Sequence, residues 1–257
     1  AAIVPWNFPI MMLAFKIAPA LAVGCTMVCK PAEMTNSIVA EVCDLFQKAG
    51  LPAGVLNMVS GKGSVVGDVL AKSPLIDKIT FTGSTAVGRG VMAGASSNLK
   101  GISLELGGKS PNIVFEDAAS MDDAVDAACT NVFFNQGAVC DGGTRLLLQR
   151  SIHDAFMEKL VAKTRRLTIG DPMTDVHIGA IISEDQCNTI MDYIEIGKKE
   201  AKLVTGGSRL SGGIYDKGFF IEPTIFDEVD RKARIAQEEI FGPVLVVQVF
   251  EDTEEAI

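Results

Sequence analysis

Apolar positions along this chain recur in two alternating rhythms. Thr26-Met27-Val28-Cys29 is a short run that reads as a buried strand, and from residue 35 to 48 Ile38, Val42, Leu45 and Phe46 recur at helical spacing. Gly50, Pro52 and Gly54 mark the connecting loop. Residues 55–59 predict a second strand, 64–71 a helix, 77–81 a third strand, 84–95 a helix and 102–105 a fourth strand. Strands and helices alternating with short connections predict a parallel sheet with helices on both faces.

After Gly107-Gly108 the rhythm starts again. Residues 111–115, 144–149, 219–226 and 244–250 predict strands, and 121–134, 152–167 and 186–200 predict helices. Residues 169–182 read as loop-rich and 206–218 as a Gly-rich surface turn. Gly107-Gly108 is the expected domain boundary, dividing residues 1–107 from 108–257. The fold class is therefore α/β, with two parallel-sheet domains. The chain opens at Ala1 within an apolar run and stops within an acidic helical segment, so both ends read as cut and the sequence as an internal fragment of a longer protein.

Composition narrows the function. Nearly half of the 257 residues are hydrophobic, as in a folded soluble protein, and the net charge of −9 argues against a nucleic-acid partner. The most apolar stretch, residues 8–23, is broken by Pro9, Lys16 and Pro19 and is short for a membrane span. Six cysteines without dense spacing read as reduced thiols in a cytoplasmic-type compartment rather than as disulfides. Two histidines far from any cysteine cluster leave no support for a metal site.

Several short segments carry candidate chemistry. In Phe133-Phe134-Asn135-Gln136-Gly137-Ala138-Val139-Cys140 a helix runs out and a thiol follows in a small-residue loop, where a nucleophile has access. Taken alone, a buried structural cysteine is the commoner reading. Glu105 ends an apolar strand before two glycines, at the mouth of an α/β sheet, where burial makes a carboxylate a fit general base; a capping glutamate fits as well. Asn7, in Val4-Pro5-Trp6-Asn7-Phe8-Pro9, offers an amide donor for an oxyanion, or an ordinary helix cap.

Phosphate recognition has two candidates. Gly61-Lys62-Gly63-Ser64-Val65-Val66-Gly67 is one residue longer than the dinucleotide fingerprint, and Phe81-Thr82-Gly83-Ser84 opens a helix whose free N–H groups suit a pyrophosphate. Lys30 and Glu33, in Lys30-Pro31-Ala32-Glu33, are placed to bond ribose hydroxyls, or form a surface pair. Gln237-Glu238-Glu239-Ile240-Phe241-Gly242-Pro243 is an acidic pair before an aromatic turn.

Six of these segments, Pro5–Pro9, Lys30–Glu33, Phe81–Ser84, Glu105–Lys109, Gln136–Cys140 and Glu239–Pro243, occur in the order found in the aldehyde dehydrogenase superfamily, which the sequence resembles over essentially its whole length. The resemblance implies a Rossmann-like cofactor domain followed by a catalytic domain, truncated at both ends. It implies Cys140 as nucleophile, Glu105 as the base that activates water, and Asn7 as oxyanion donor with the backbone N–H of Cys140. It further implies Lys30 and Glu33 at the adenosine ribose, Gly83 and Ser84 at the pyrophosphate, and Glu239 and Phe241 at the nicotinamide ribose and ring. The cofactor is NAD, with NADP as the alternative, because Glu33 would repel a 2′-phosphate.

The implied reaction is oxidation of an aldehyde to an acid through a cysteine thiohemiacetal and thioester, by a cytoplasmic homodimer or homotetramer. CoA-acylating relatives generally lack a glutamate at the position of Glu105, so its presence favours hydrolysis. A non-catalytic relative would not need Cys140, Glu105 and Asn7 together. Lys109 belongs to the signature without an assigned chemical role. Ala138 and Asp141 depart from the usual pattern, and Asp141 is expected to disfavour aldehydes that carry a free carboxylate.

Overall fold

A computed structural model describes residues 1–257. The chain divides into two compact units, Ala1–Gly107 and Gly108–Ile257. The first is built on five parallel strands, β1 (Ala2–Ile3), β2 (Met27–Lys30), β3 (Leu56–Met58), β4 (Lys78–Thr82) and β5 (Gly101–Glu105), in the order β3-β2-β1-β4-β5. Helices α1 (Pro9–Ala22), α2 (Asn36–Lys48), α3 (Asp68–Lys72) and α4 (Thr85–Ala95) make the crossovers, with a π-helical turn at Gly63–Gly67.

Alternation along β1 and its neighbours feeds two apolar layers. Ala2 and Val4 point with Met27 and Cys29 into one, while Ile3 joins Ile79 and Phe81 in the other. The central strand β1 was not expected from the sequence. It has two residues, too few for any periodicity to register.

The second unit carries β6 (Pro111–Val114), β7 (Arg145–Gln149), β8 (Lys202–Thr205), β9 (Thr224–Asp227) and β10 (Val244–Phe250), ordered β6-β7-β10-β9-β8. All neighbours are parallel except β8, which pairs antiparallel with β9 at the edge. Val244 and Val246 pack on one side of β10, with Ile190 and Ile194 of α7 (Glu184–Glu200). Leu245 and Val247 pack on the other, with residues of α5 (Met121–Phe133) and α6 (His153–Thr164). Two short helices, α8 (Arg234–Gln237) and α9 (Thr253–Ala256), complete the unit.

Local chemistry starts the helices. Ser84, Ser120 and Ser183 cap α4, α5 and α7 by accepting the N–H of Val87, Asp123 and Gln186. In α7, Glu184 and Asp185 stand in the first turn and Lys198-Lys199 in the last, each sign matching the helix dipole. The strand expected over 219–226 is shorter than predicted. Only Thr224–Asp227 joins the sheet, because Pro223 has no N–H for a ladder; Phe219 and Ile221 make single bridges to Ile181 and Arg209. The edge strand β8 was missed, since four residues directly after a helix carry no turn signal.

Candidate active site

In the first unit every candidate residue stands beyond the carboxyl end of a strand. Asn7 follows β1, Lys30 and Glu33 follow or end β2, Gly83 and Ser84 follow β4, and Glu105 ends β5. The chain leaves β1 for β2 on one side of the sheet and reaches β4 on the other, so the topological switch point lies between β1 and β4. Ligands of open α/β sheets bind at such a point.

The residues there are fixed by specific contacts. The cap position of α1 is Phe8, the residue after Asn7. Lys30 is 3% exposed, and its ammonium donates to the Pro31 carbonyl at 2.8 Å. Burial lowers the pKa of Lys30, and the Glu33 carboxylate partly offsets this. A Glu33 oxygen accepts the N–H of Gly63 at 3.1 Å, so the two loops that the sequence offered separately are fastened together. A Cβ at Gly83 would meet the Phe81 ring at 2.6 Å, so a larger residue there would have to displace that ring. The Ser84 hydroxyl accepts the N–H of Val87 at 3.3 Å.

Glu105 corrects one expectation. It was expected to be buried, but it is exposed, because it is the last residue of an edge strand, paired on one side only with Thr82. A buried cation that sequence reasoning passed over lies in the same unit. Lys16 of α1 is 8% exposed and donates to Thr80 Oγ1 at 3.0 Å. Burial lowers its pKa and the charge of Glu105 acts against that shift. Its sequence signal was a lone lysine inside an apolar helix.

In the second unit the candidates lie at the opposite, amino ends of the strands. Cys140 precedes β7, Glu239 and Phe241 precede β10, and Lys109 precedes β6. The approach to Cys140 is strained. Asn135, Gln136 and Gly137 have φ of 48°, 57° and 74°, three successive residues in the left-handed region. Side chains hold this turn: Asn135 Nδ2 donates to the Ala138 carbonyl at 3.3 Å, and Gln136 Oε1 accepts the N–H of Gly179 at 3.3 Å.

A Cβ at Gly137 would fall 2.1 Å from the carbonyl oxygen of Gly242. The loop leading to Cys140 is thus seated backbone-to-backbone on the loop that carries Glu239 and Phe241. Helix α7 anchors that second loop from behind. Gln186 Nε2 donates to the carbonyls of Ile240 and Phe241 at 3.3 and 3.0 Å. Glu238 accepts from Tyr193 Oη and Arg234 Nε, both at 2.7 Å. Phe241 itself has φ of 57°. None of these supporting residues was singled out in the sequence: Gln186 and Tyr193 lie dozens of residues from the motif that they hold, and Arg234, four residues before Glu238, carries no motif of its own.

Electrostatics at the thiol are mixed. Burial pushes the pKa of Cys140 up and the Asp141 carboxylate adds to this, while the backbone amides of Cys140 and Asp141 pull it down. Burial also raises the pKa of Glu239, against a hydrogen bond from the Gly108 amide and the charge of Lys109.

The sequence model of the aldehyde dehydrogenase family matches residues 1–257. The chain belongs to this family. It is 48% identical to aldehyde dehydrogenase family 2 member C4 of Arabidopsis thaliana, over 99% of its own length and 50% of that protein's. Among solved structures, gamma-glutamyl-gamma-aminobutyraldehyde dehydrogenase from Burkholderia cenocepacia J2315 superposes with a TM-score of 0.96 at 49% identity, over 100% of this chain and 52% of that one. Betaine aldehyde dehydrogenase from Staphylococcus aureus, solved in complex with NAD+, gives a TM-score of 0.95 at 40% identity, over 99% and 51%. The α/β architecture with two sheets is that of the family. The chain spans about half the length of the curated relatives that it matches. No helix in it is long and apolar enough to cross a membrane.

Proposed function

We propose that this chain carries the cofactor-binding and catalytic residues of an NAD-preferring aldehyde dehydrogenase that releases a carboxylic acid. The observation that carries the reading is the seating of the Cys140 loop on the Glu239–Phe241 loop through Gly137 and Gly242, which ties the candidate nucleophile to the candidate nicotinamide contacts. The residues fit a dinucleotide. Glu239 keeps a buried oxygen, Oε1, without a hydrogen-bond partner, and α4 presents its amino end beyond β4 at the switch point.

In this reading residues 1–107 supply most of the cofactor site. Lys30 and Glu33 take the adenosine ribose, Gly83 and Ser84 the pyrophosphate, Glu239 the nicotinamide ribose and Phe241 the ring. When bound, the dinucleotide accepts the hydride that the oxidation removes. The thiolate of Cys140 adds to the aldehyde carbon, and the carbonyl electrons move to oxygen. Asn7 and the Cys140 backbone N–H donate to that oxyanion. Loss of hydride leaves a thioester on Cys140. Glu105 takes a proton from water, which attacks the thioester carbon; the C–S bond breaks, the thiolate returns and the acid departs.

Glu33 favours NAD over NADP because its carboxylate would repel a 2′-phosphate. Asp141 disfavours aldehydes that already bear a carboxylate. A soluble cytoplasmic homodimer or homotetramer completes the reading, and neither a metal nor a nucleic acid has a part in it.

The test is a panel of neutral, cationic and acidic aldehydes on the complete protein with NAD and with NADP. Acid formation with NAD is expected, at a lower KM than for NADP, and Cys140→Ala is expected to cut kcat at least about 10³-fold. Unchanged turnover in Cys140→Ala, or acyl transfer only when CoA is present, defeats the reading.

A further inference from the structure

Three adjacent parallel strands of the second unit, β6, β7 and β10, each deliver one charged residue from the amino end. Lys109 stands two residues before β6. Arg145 opens β7, opposite Pro111 of β6 and Val246 of β10, and its N–H bonds the Ser110 carbonyl at 3.3 Å. Glu239 lies in the loop before β10. Lys109 Nζ, Arg145 Nε and Glu239 Oε1 are all buried, and none has a hydrogen-bond partner. Buried ions are costly unless compensated, and an unpaired one calls for an explanation.

The arrangement differs from a closed salt bridge in one respect that matters. Glu239 accepts a hydrogen bond from the Gly108 amide, and Lys109, the next residue, acts on the carboxylate through its field without bonding Oε1. A direct Lys–Glu bond would consume the oxygen that a ligand needs. Arg145 adds a second positive charge beside Lys109.

We propose that Lys109 is a positioning residue for Glu239: its ammonium keeps the buried carboxylate ionised and aimed while leaving Oε1 open to a ribose hydroxyl of the dinucleotide. The proposal rests on Glu239 being a cofactor contact. It gives a role to the signature residue for which the motif itself supplies none. Burial, and then the charge of Arg145, lower the pKa of Lys109 to about 8, while Glu239 opposes this. The support that Lys109 lends therefore weakens in mildly alkaline solution, where Arg145 and the Gly108 amide remain.

The experiment is a double-mutant cycle on the complete protein with Lys109→Met, Glu239→Gln and the pair, read by calorimetric titration of NAD, by kcat and KM, and by Tm. Lys109→Met is expected to raise the Kd for NAD about tenfold while changing kcat at saturating NAD far less. In the Glu239→Gln background the same change is expected to add less than about twofold, because the charge it serves is gone. Fully additive losses, or an unchanged Kd in Lys109→Met, overturn the proposal.

If Glu239→Gln alone leaves NAD binding intact, the assignment of Glu239 as a cofactor contact falls instead. The Tm cycle then decides the coupling: a Lys109→Met cost that shrinks in Glu239→Gln sustains it, and an equal cost ends it. Should Lys109→Met not fold, Cys140→Ala protein serves, since the Cys140 thiol is the other titrating group whose charge reaches Glu239. Its NAD affinity is expected to weaken as pH rises through about 8, and Glu239→Gln to remove that inflection; a profile equal in both overturns the proposal.

Discussion

Asp141 adjoins the candidate nucleophile, and its charge works against the thiolate. Burial is the larger upward influence on the Cys140 thiol, but burial cannot be edited without rebuilding the loop, whereas the carboxylate is exposed. Asp141→Asn is expected to move the pH profile of Cys140 alkylation by iodoacetamide to lower pH. The rate at pH 7, followed on the Cys140 peptide, is expected to rise about threefold, as suits one screened charge in high dielectric. An unmoved profile would mean that Asp141 does not face the sulfur. Gly137 is the other residue on which the site turns. A methyl there must displace the Gly242 carbonyl and also sit at φ of 74°. Gly137→Ala is expected to cost about 3 kcal/mol or more in chemical denaturation and to abolish turnover. The candidate residues, Cys140, Glu105 and Asn7 among them, stand out in the sequence as motifs. Those that hold the Glu239–Phe241 loop from α7, Gln186 and Tyr193, were not, because their partnership with residues 238–241 exists only once α7 packs on that loop.

At the scale of elements, β9 and α6 are joined by a histidine clamp. His153, the first residue of α6, bonds Asp154 through Nδ1 at 2.8 Å and the buried Asp227 of β9 through Nε2 at 2.9 Å. Burial alone would lower its pKa, but the two carboxylates outweigh it and the net shift is upward. A raised folded pKa means stability that is complete below the unfolded value of about 6.5 and lost as pH rises through the folded one. The Tm gap between wild type and His153→Gln is therefore expected to be wide near pH 6 and to close by about pH 9. An equal gap at both values would show that the clamp acts as a neutral packing contact. Helical elements were read well because α2, α5 and α7 repeat their apolar faces over several turns. Short strands were not: β1 is central yet only two residues long, and Pro223 halves the strand expected before β9.

For the whole molecule, the two sheets use opposite ends. The first unit gathers its candidates beyond carboxyl ends, as open α/β sheets do, whereas the second gathers Lys109, Cys140 and Glu239 at amino ends. No general rule of α/β folds announces the second arrangement. It became readable only through the resemblance of six motifs in order, and that resemblance carried the roles without the geometry.

The place of β10 has a consequence for how the chain is made. It lies at the middle of its sheet, between β7 and β9, yet it follows all four of its sheet partners, β6, β7, β8 and β9, in the chain. Until it is made, β6 and β7 can pair only with each other, leaving an open edge, and the apolar faces of α5, α6 and α7 lack the strand that they cover in the folded chain. Nascent chains arrested at successive lengths are expected to gain protease resistance over residues 108–250 in one late step. That step is expected only after Phe250 clears the exit tunnel, so the segment that holds Cys140 stays exposed to aggregation until then.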